Sequence, residues 1–527
     1  MAELEKIIWI STILIILISL KDKIKLALPI LLVLAGLLLS FTALVPSIEM
    51  SPELIFYVVL PPILFDAAWN TSIPEFKKEF PKISILAVVL VFLTTTIVAV
   101  VVHSLIPGFG WPMAFVLGAI VSPPDAVAAT SITKSIALPK KMITILEGES
   151  LLNDASALIA YKFAVVAVLS GGFSFWNAGF QFVFISLGGI VAGIVIGFLF
   201  LRIYRFFNGN SNVETFAVVL LPFATYSLAE HLGCSGVLAV VVVGMYLSWN
   251  SFVVFTTNSR MQMGYFWDVI IFVINGLVFL VLGMQLPKII SDTPQNELPL
   301  LIFYGFLIFI ILVLVRMCVL FAFPLLGGAL KNKSQSGLSQ SSKEYLIISW
   351  AGMRGVVSLA TGLALPLTTS EMVPLAHRNT VLLLSFVVIV FTLLIQGLTL
   401  PKLIQWIKPT KDFHREEGAL NILLLYKSIS FLKEFSADDL ETQQAVMTML
   451  DKLQAKNHNL LTESESVKGI NSKKAYLNLE LQLVEWQRTA LTQSYKSGTF
   501  SLETIRKKEI ELDFWKTTIE HESGQSY

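Results

Sequence analysis

Long apolar runs separated by short polar loops occupy the chain from Ile7 to Ile407, and beyond them charged and apolar residues mix at helical spacing. A helix needs about 20 apolar residues to cross ~30 Å of hydrocarbon, and the loop signals divide residues 1–409 into about thirteen such runs. They are Ile7 to Leu20, Leu26 to Leu44, Leu54 to Trp69, Ile83 to Ser104, Pro112 to Ser131, Met142 to Leu169, Ala178 to Leu201, Val213 to His231, Cys234 to Trp249, Gln262 to Leu286, Leu298 to Phe323, Tyr345 to Leu365 and Thr380 to Ile407. In lipid every backbone polar group must find its partner inside its own segment, so helices are expected throughout. The pattern predicts an all-α polytopic membrane domain over 1–409 and a helical tail over 410–527. In the tail, Ser436-Ala437-Asp438-Asp439 before Leu440 reads as a capping box. Polar Asn457 to Lys474 reads as a linker between two or three amphipathic helices.

Lysines and arginines fall in alternate loops. One set holds Lys21, Lys23, Lys25; Lys77, Lys78, Lys82; Lys134, Lys140, Lys141; Arg202, Arg205; Arg260; and Lys331, Lys333, Lys343, whereas the other offers little beyond Lys288 and Arg378. Cytoplasmic loops carry the excess. The N-terminus is therefore expected outside a cell membrane and the tail in the cytoplasm, and an even number of spans would spoil the alternation.

Composition agrees with the division. The chain is 55% hydrophobic and 14% charged, against about 25% charged for a soluble protein, and 33 of its 75 charged residues lie beyond residue 409. A net charge of +1 without a basic patch among aromatics argues against a nucleic-acid partner. Cys234 and Cys318 stand in separate apolar runs and support neither a disulfide framework nor a thiolate metal site. Without a basic stretch or cleavage site at the start, Ile7 to Leu20 is expected to stay as a span. No cofactor is expected.

A charge near the bilayer centre costs at least ~2.5 kcal/mol, so a buried one must face a cavity or a partner. Asp66, Asp125, Glu147, Glu149, Asp154, Lys162, Glu230, Asp268, Arg316 and Arg354 fall within the runs. Five of the acids lie in the third, fifth and sixth, which points to a cation pathway. In the sixth, Ser150 and Asp154 share a helical face, as do Glu149 and Asn153. Glu149 and Asp154 lie about 140° apart and are expected to serve different partners. Oxygen ligands of this kind suit hard cations such as Na⁺. Glu147 is expected near the cytoplasmic end, Lys162 and Glu230 as cavity-lining or snorkelling groups, and His103 and His231 as interfacial side chains. The Gly188, Gly189, Gly193, Gly197 stripe permits close helix packing, a dimer face being one use of it.

Within the fifth run, Pro123-Pro124 deletes two backbone donors just before Asp125, so that helix is expected to break in mid-membrane. Trp350-Ala351-Gly352-Met353-Arg354-Gly355 interrupts the twelfth with glycines and a charge. Runs 4-5-6 and 11-12-13 then correspond, and interrupted helices at matching positions of two halves point to an inverted-repeat transporter with a midplane site and two crossed, discontinuous helices.

Four motifs carry a family resemblance: Leu60-Pro61-Pro62-Ile63-Leu64-Phe65-Asp66, Ser122-Pro123-Pro124-Asp125-Ala126-Val127-Ala128, Gly148-Glu149-Ser150-Leu151-Leu152-Asn153-Asp154, and Trp350-Ala351-Gly352-Met353-Arg354-Gly355-Val356-Val357-Ser358. In order and spacing, across roughly residues 50 to 400, the chain resembles the NhaP/NHE branch of the monovalent cation:proton antiporters. The resemblance implies thirteen helices, a six-helix core with two unwound helices, a dimerising panel and elevator-like alternating access, hence a homodimer. It implies that Asp154 exchanges cation for proton beside a neutral Asn153, that Asp66 and Ser150 complete the Na⁺ shell, and that Asp125 positions the unwound backbone or coordinates. It further implies a structural ion pair between Glu149 and Arg354, with Arg316 compensating the broken helices. Pro124 departs from the threonine that many members place before the aspartate.

Exchange requires one site that cation and proton cannot share and a protein whose access changes when either is bound. An amide at Asn153, where electrogenic relatives carry an acid, predicts electroneutral one-for-one exchange of Na⁺, or Li⁺ or K⁺, for H⁺ in pH and sodium homeostasis. A K⁺-selective antiporter is the alternative, as is a cation channel, although no repeated filter pattern is visible. An intramembrane hydrolase would need a base near Ser150, and no nucleophile elbow occurs, so no enzyme is expected.

Overall fold

The computed structural model describes residues 11–19, 28–40, 52–125, 138–171, 175–207, 210–327, 338–366 and 375–407, with isolated positions elsewhere. Every regular element among them is a helix. In chain order these are α1 (11–19), α2 (Leu28–Ser40), α3 (Ile55–Asn70), α4 (Ile73–Leu105), α5 (Trp111–Val121), α6 (Lys140–Ser170), α7 (Phe175–Tyr204), α8 (Ser211–His231), α9 (Gly236–Val254), α10 (Thr257–Ser291), α11 (Leu298–Gly327), α12 (Leu338–Trp350), α13 (Val356–Leu363) and α14 (Arg378–Ile407). Each predicted run carries a helix, the twelfth being divided between α12 and α13. Seven of the described helices are long and apolar enough to cross a membrane.

The fourth helix begins ten residues earlier than its apolar run. Its first three turns are amphipathic, burying Phe76 and Ile83 while exposing Lys77 and Lys78. Gly148 of α6 makes room for that face, since a Cβ there would lie 2.7 Å from Ile83 Cδ1. Thr144 Oγ1 donates to Glu75 Oε2 at 2.9 Å beside it.

Two apolar clusters meet along α6. Met142, Ile145, Leu146, Tyr161 and Ala164 pack with α2, α4, α5, α11, α12, α14 and the second half of α10, whereas Leu151, Ala155 and Leu158 pack with α3, α8, α9 and the first half of α10. The glycine stripe of α7 is occupied within the chain and is no dimer face: a Cβ at Gly189 or Gly193 would lie 2.6 Å from the carbonyl oxygen of Ser235 or Ala239, at and just after the start of α9. Gly36 and Gly283 bring the backbones of α2 and α10 together in the same way.

The chain divides into two compact units, Met1–Lys411 and Asp412–Tyr527. In the second, Leu477 and Val484 on one helical stripe and Leu512 and Ile519 on another form a small core, with Leu481 and Trp515 packed against it. Lys516 pairs with Glu485 at 2.6 Å. The capping box at Ser436 and the linker from Asn457 to Lys474 lie outside the described residues.

Candidate functional site

The site grows out of backbone that two helices leave unpaired. Pro123 has no N–H to give the carbonyl of Ala119, and the hydroxyl of Ser122 donates to it instead at 3.2 Å. The helix α5 ends at Val121, and the freed carbonyls of Val121 and Ser122 accept from Arg354 Nε at 3.0 Å and Nη2 at 3.4 Å. Arg354 Nη1 donates to the carbonyl of Gly352 at 2.5 Å, and its own backbone N–H to Thr392 Oγ1 at 3.2 Å. Pro124 O accepts from Asn153 Nδ2 at 2.9 Å. Where the two unwound stretches meet, Asp125 N donates to Met353 O at 2.6 Å. Buried backbone in lipid is thus satisfied by one arginine, one amide and the partner stretch, as unwound chain at membrane depth requires.

Two of the three glycines of the twelfth run, Gly352 and Gly355, are explained by close approach. A Cβ on Gly355 would fall on the carboxylate of Asp125, and one on Gly352 would lie 2.6 Å from Arg316 Nε. The second contact overturns the expected division of labour between the arginines. Arg316, 2% exposed, crosses above Gly352 and grips both carboxylate oxygens of Glu149, 1% exposed, with Nη2 to Oε2 at 2.7 Å, while its Nε donates to Ile348 O at 3.2 Å. Arg354 instead serves the broken helices, although Glu149 stays within its electrostatic reach. The roles are exchanged because Arg354 sits inside the unwound stretch, where carbonyls surround it, and Gly352 leaves the path to Glu149 open to Arg316.

Asp154, Ser150 and Asp125 line one cavity of about 30 Å³, closed on its apolar side by Ile63, Leu64 and Ala67 of α3 and by Val357 of α13. A water needs at least ~10–15 Å³ by the same measure, so the space suits about two waters or one largely dehydrated monovalent cation. Its polar lining includes two carboxylates and a hydroxyl, carried by α6 and the unwound stretch after α5. A larger cavity of about 40 Å³ is bounded by apolar side chains, among them Ile30, Leu286 and Phe386, and offers a cation nothing.

Two residues expected to bind cation or proton are not among those that line this cavity. Asn153 is fully buried, with its amide turned to Pro124, which makes it a tether between α6 and the break. Asp66 is not among the cavity-lining residues: on α3 it lies about 60° from Ile63, away from Leu64 and Ala67. It accepts from Asn70 Nδ2 at 3.0 Å and lies within electrostatic reach of Glu147. Lys162 and Glu230 pair at 2.8 Å between α6 and α8, and Asp268 is exposed. His103 and His231 each bond a backbone carbonyl, of Phe109 at 2.7 Å and of Ser227 at 2.9 Å. One cavity residue escaped the sequence reading, Asn275 of α10. Its signal is an amide in the otherwise apolar Ile274-Asn275-Gly276-Leu277, passed over by a search for charge alone.

A family model described as the transmembrane sodium/hydrogen exchanger matches residues 10–406. A sodium, potassium, lithium and rubidium/H(+) antiporter of Bacillus subtilis (strain 168) is 32% identical over 466 residues, covering 86% of this chain and 69% of its own length. The Na(+)/H(+) antiporter NhaH of Halobacillus dabanensis is 31% identical over 390 residues, 71% of this chain and 90% of its own. Among solved structures, the sodium proton antiporter MjNhaP1 of Methanocaldococcus jannaschii matches with a TM-score of 0.60 over 76% of this chain and 98% of its own, at 19% identity, a likeness of fold.

Proposed function

Because this membrane chain belongs to the sodium/hydrogen exchanger family, we propose that it exchanges Na⁺ for H⁺ across the cell membrane by alternating access, in the service of pH and sodium homeostasis. The observation that carries this reading is the single small cavity in which Asp154, Asp125 and Ser150 converge beside broken helices. Asp154 is the exchanging group: its carboxylate holds a cation or a proton and not both, so each ligand displaces the other. Burial and neighbouring charge set how tightly such a carboxylate holds its proton. Ser150 and Asp125 complete the cation shell, and Asp66 with Glu147 forms an acidic approach to it. Asn153 and Arg354 hold the unwound backbone in place, and Arg316 with Glu149 ties α11 to α6.

One exchangeable carboxylate at this position, with an amide at Asn153, supports electroneutral one-for-one exchange. The lysine and arginine alternation supports a cytoplasmic tail and an N-terminus outside, and the resemblance supports a homodimer. K⁺/H⁺ exchange is a second reading, favoured by the Bacillus subtilis relative, whose name includes potassium, lithium and rubidium.

Purified protein in liposomes with an internal pH dye, challenged with each alkali cation in turn, tests the proposal. Cation-driven proton movement that is indifferent to an imposed membrane potential is the expected result, with Asp154→Asn abolishing it. A cation current without proton movement would identify a channel, and exchange surviving Asp154→Asn would remove the assigned site.

A further inference from the structure

Among the described residues, three buried side-chain amides have an oxygen without a hydrogen-bond partner: Asn153, Asn275 and Gln396. Among them only Asn275 lines the cavity of Asp154. Its amide oxygen is buried and accepts no hydrogen bond, an unfavourable state for an acceptor unless something else uses it. The position is held firmly. The next residue, Gly276, packs on Leu14, a Cβ there falling 2.7 Å from Leu14 Cδ1, and two turns later Gly283 meets the backbone of α2. Asn275 thus brings a buried, unpartnered oxygen to the wall of the cavity from an element anchored outside the broken helices, in the same lining as the carboxylates of α6 and the α5 break. A neutral amide oxygen takes no part in proton exchange but is an ordinary ligand for a hard cation.

We propose that Asn275 Oδ1 is a further contact for the transported cation, supplied by α10 in the same cavity as Asp154, and that it sets cation affinity and the preference among Na⁺, Li⁺ and K⁺ without carrying the proton. The assignment rests on the exchange reading above. A dipole is the right chemistry for such a role, since a third carboxylate would change the charge moved per cycle and a hydrocarbon would leave the ion under-coordinated. In the opposite access state, a ligand on α10 and ligands on the broken helices part company, so the contact also assists release.

The test compares the full-length protein with Asn275→Leu and Asn275→Asp in the same liposome assay, reading the cation concentration for half-maximal exchange and the maximal rate separately. Loss of an ion-dipole contact worth about one charge-assisted hydrogen bond raises the half-maximal Na⁺ concentration about tenfold in Asn275→Leu. Asn275→Asp keeps the acceptor and leaves that concentration at the wild-type value or below it. The Li⁺:Na⁺:K⁺ order changes in at least one variant. A side chain that merely packs would shift both variants alike, so equal shifts, or none, overturn the assignment. Where Asn275→Leu is not recovered as folded protein, Asn275→Ala takes its place in the same comparison. Absence of exchange in the wild type instead overturns the exchange reading itself, and this inference with it.

Discussion

A buried arginine is tolerated only where its five donors find acceptors, and the two arginines here meet that demand in different ways. Arg316 is matched to a carboxylate, bidentate to Glu149, while Arg354 is matched to the carbonyls of Val121, Ser122 and Gly352. Removing one member of a buried ion pair strands the other charge and costs about 3–5 kcal/mol, whereas removing both is far milder. Arg316→Met is therefore expected to lower thermal stability in detergent sharply, and Glu149→Gln added to it to restore most of the loss. Arg354→Met strands carbonyls and not a carboxylate, so Glu149→Gln gives it no recovery. Melting curves of the two double variants side by side decide the pairing; equal recovery in both would restore the Glu149–Arg354 pair. All three charges are legible in the sequence, since lipid forbids charges without a purpose. Their partners are not, because the choice depends on whether Gly352 lies under Arg316 or beside it. Asn275 stayed hidden because neutral amides carry no such prohibition.

At the scale of elements, periodicity and punctuation decide nearly everything. Runs of apolar residues long enough to span lipid announce α6, α8, α10, α11 and α14, and the double proline and the glycines mark where the fifth and twelfth runs break. Yet Pro-Pro is not a universal breaker: α3 continues through Pro61-Pro62 behind a widened turn at Ile55–Val59. The start of α4 was illegible because its lysine-rich first turns look like a loop until Gly148 supplies the surface on which Phe76 and Ile83 bury. The unwound junction is specified by the fit of Asp125 on Gly355. Gly355→Ala pushes a methyl group into that carboxylate. It is expected to cut exchange at least about tenfold, the scale of one or two lost charge-assisted hydrogen bonds, with circular-dichroism helix content unchanged. Wild-type exchange in that variant would mean that Asp125 has no fixed seat.

Over the membrane unit as a whole, the cavity is lined by α3 and α10 together with α6, the stretch after α5 and the start of α13. Under the proposed alternating access, a cation held from both sides bridges α3 with α10 to the broken helices, and sliding these two bodies past one another dissolves the shell and changes which mouth is open. A rigid pore with a fixed site would not need the bodies to move at all. The difference is measurable by tying the bodies together at the cavity wall. Ala67 on α3 and Val357 on α13 line the same cavity, one on a continuous helix and the other just after the break of the twelfth run. With Cys234 and Cys318 replaced by alanine and serine, Ala67→Cys/Val357→Cys joined by a short bifunctional thiol reagent is expected to stop exchange. Each single-cysteine variant treated with the same reagent should keep most of it, and a cleavable linker should return activity on reduction. The tethered protein should still be stabilised against heat by Na⁺, because the shell is intact in the trapped state and only its opening to the other side is blocked. Continued exchange through a complete cross-link would show that α3 and α13 need not move apart, and that ions reach Asp154 from both faces of a single arrangement.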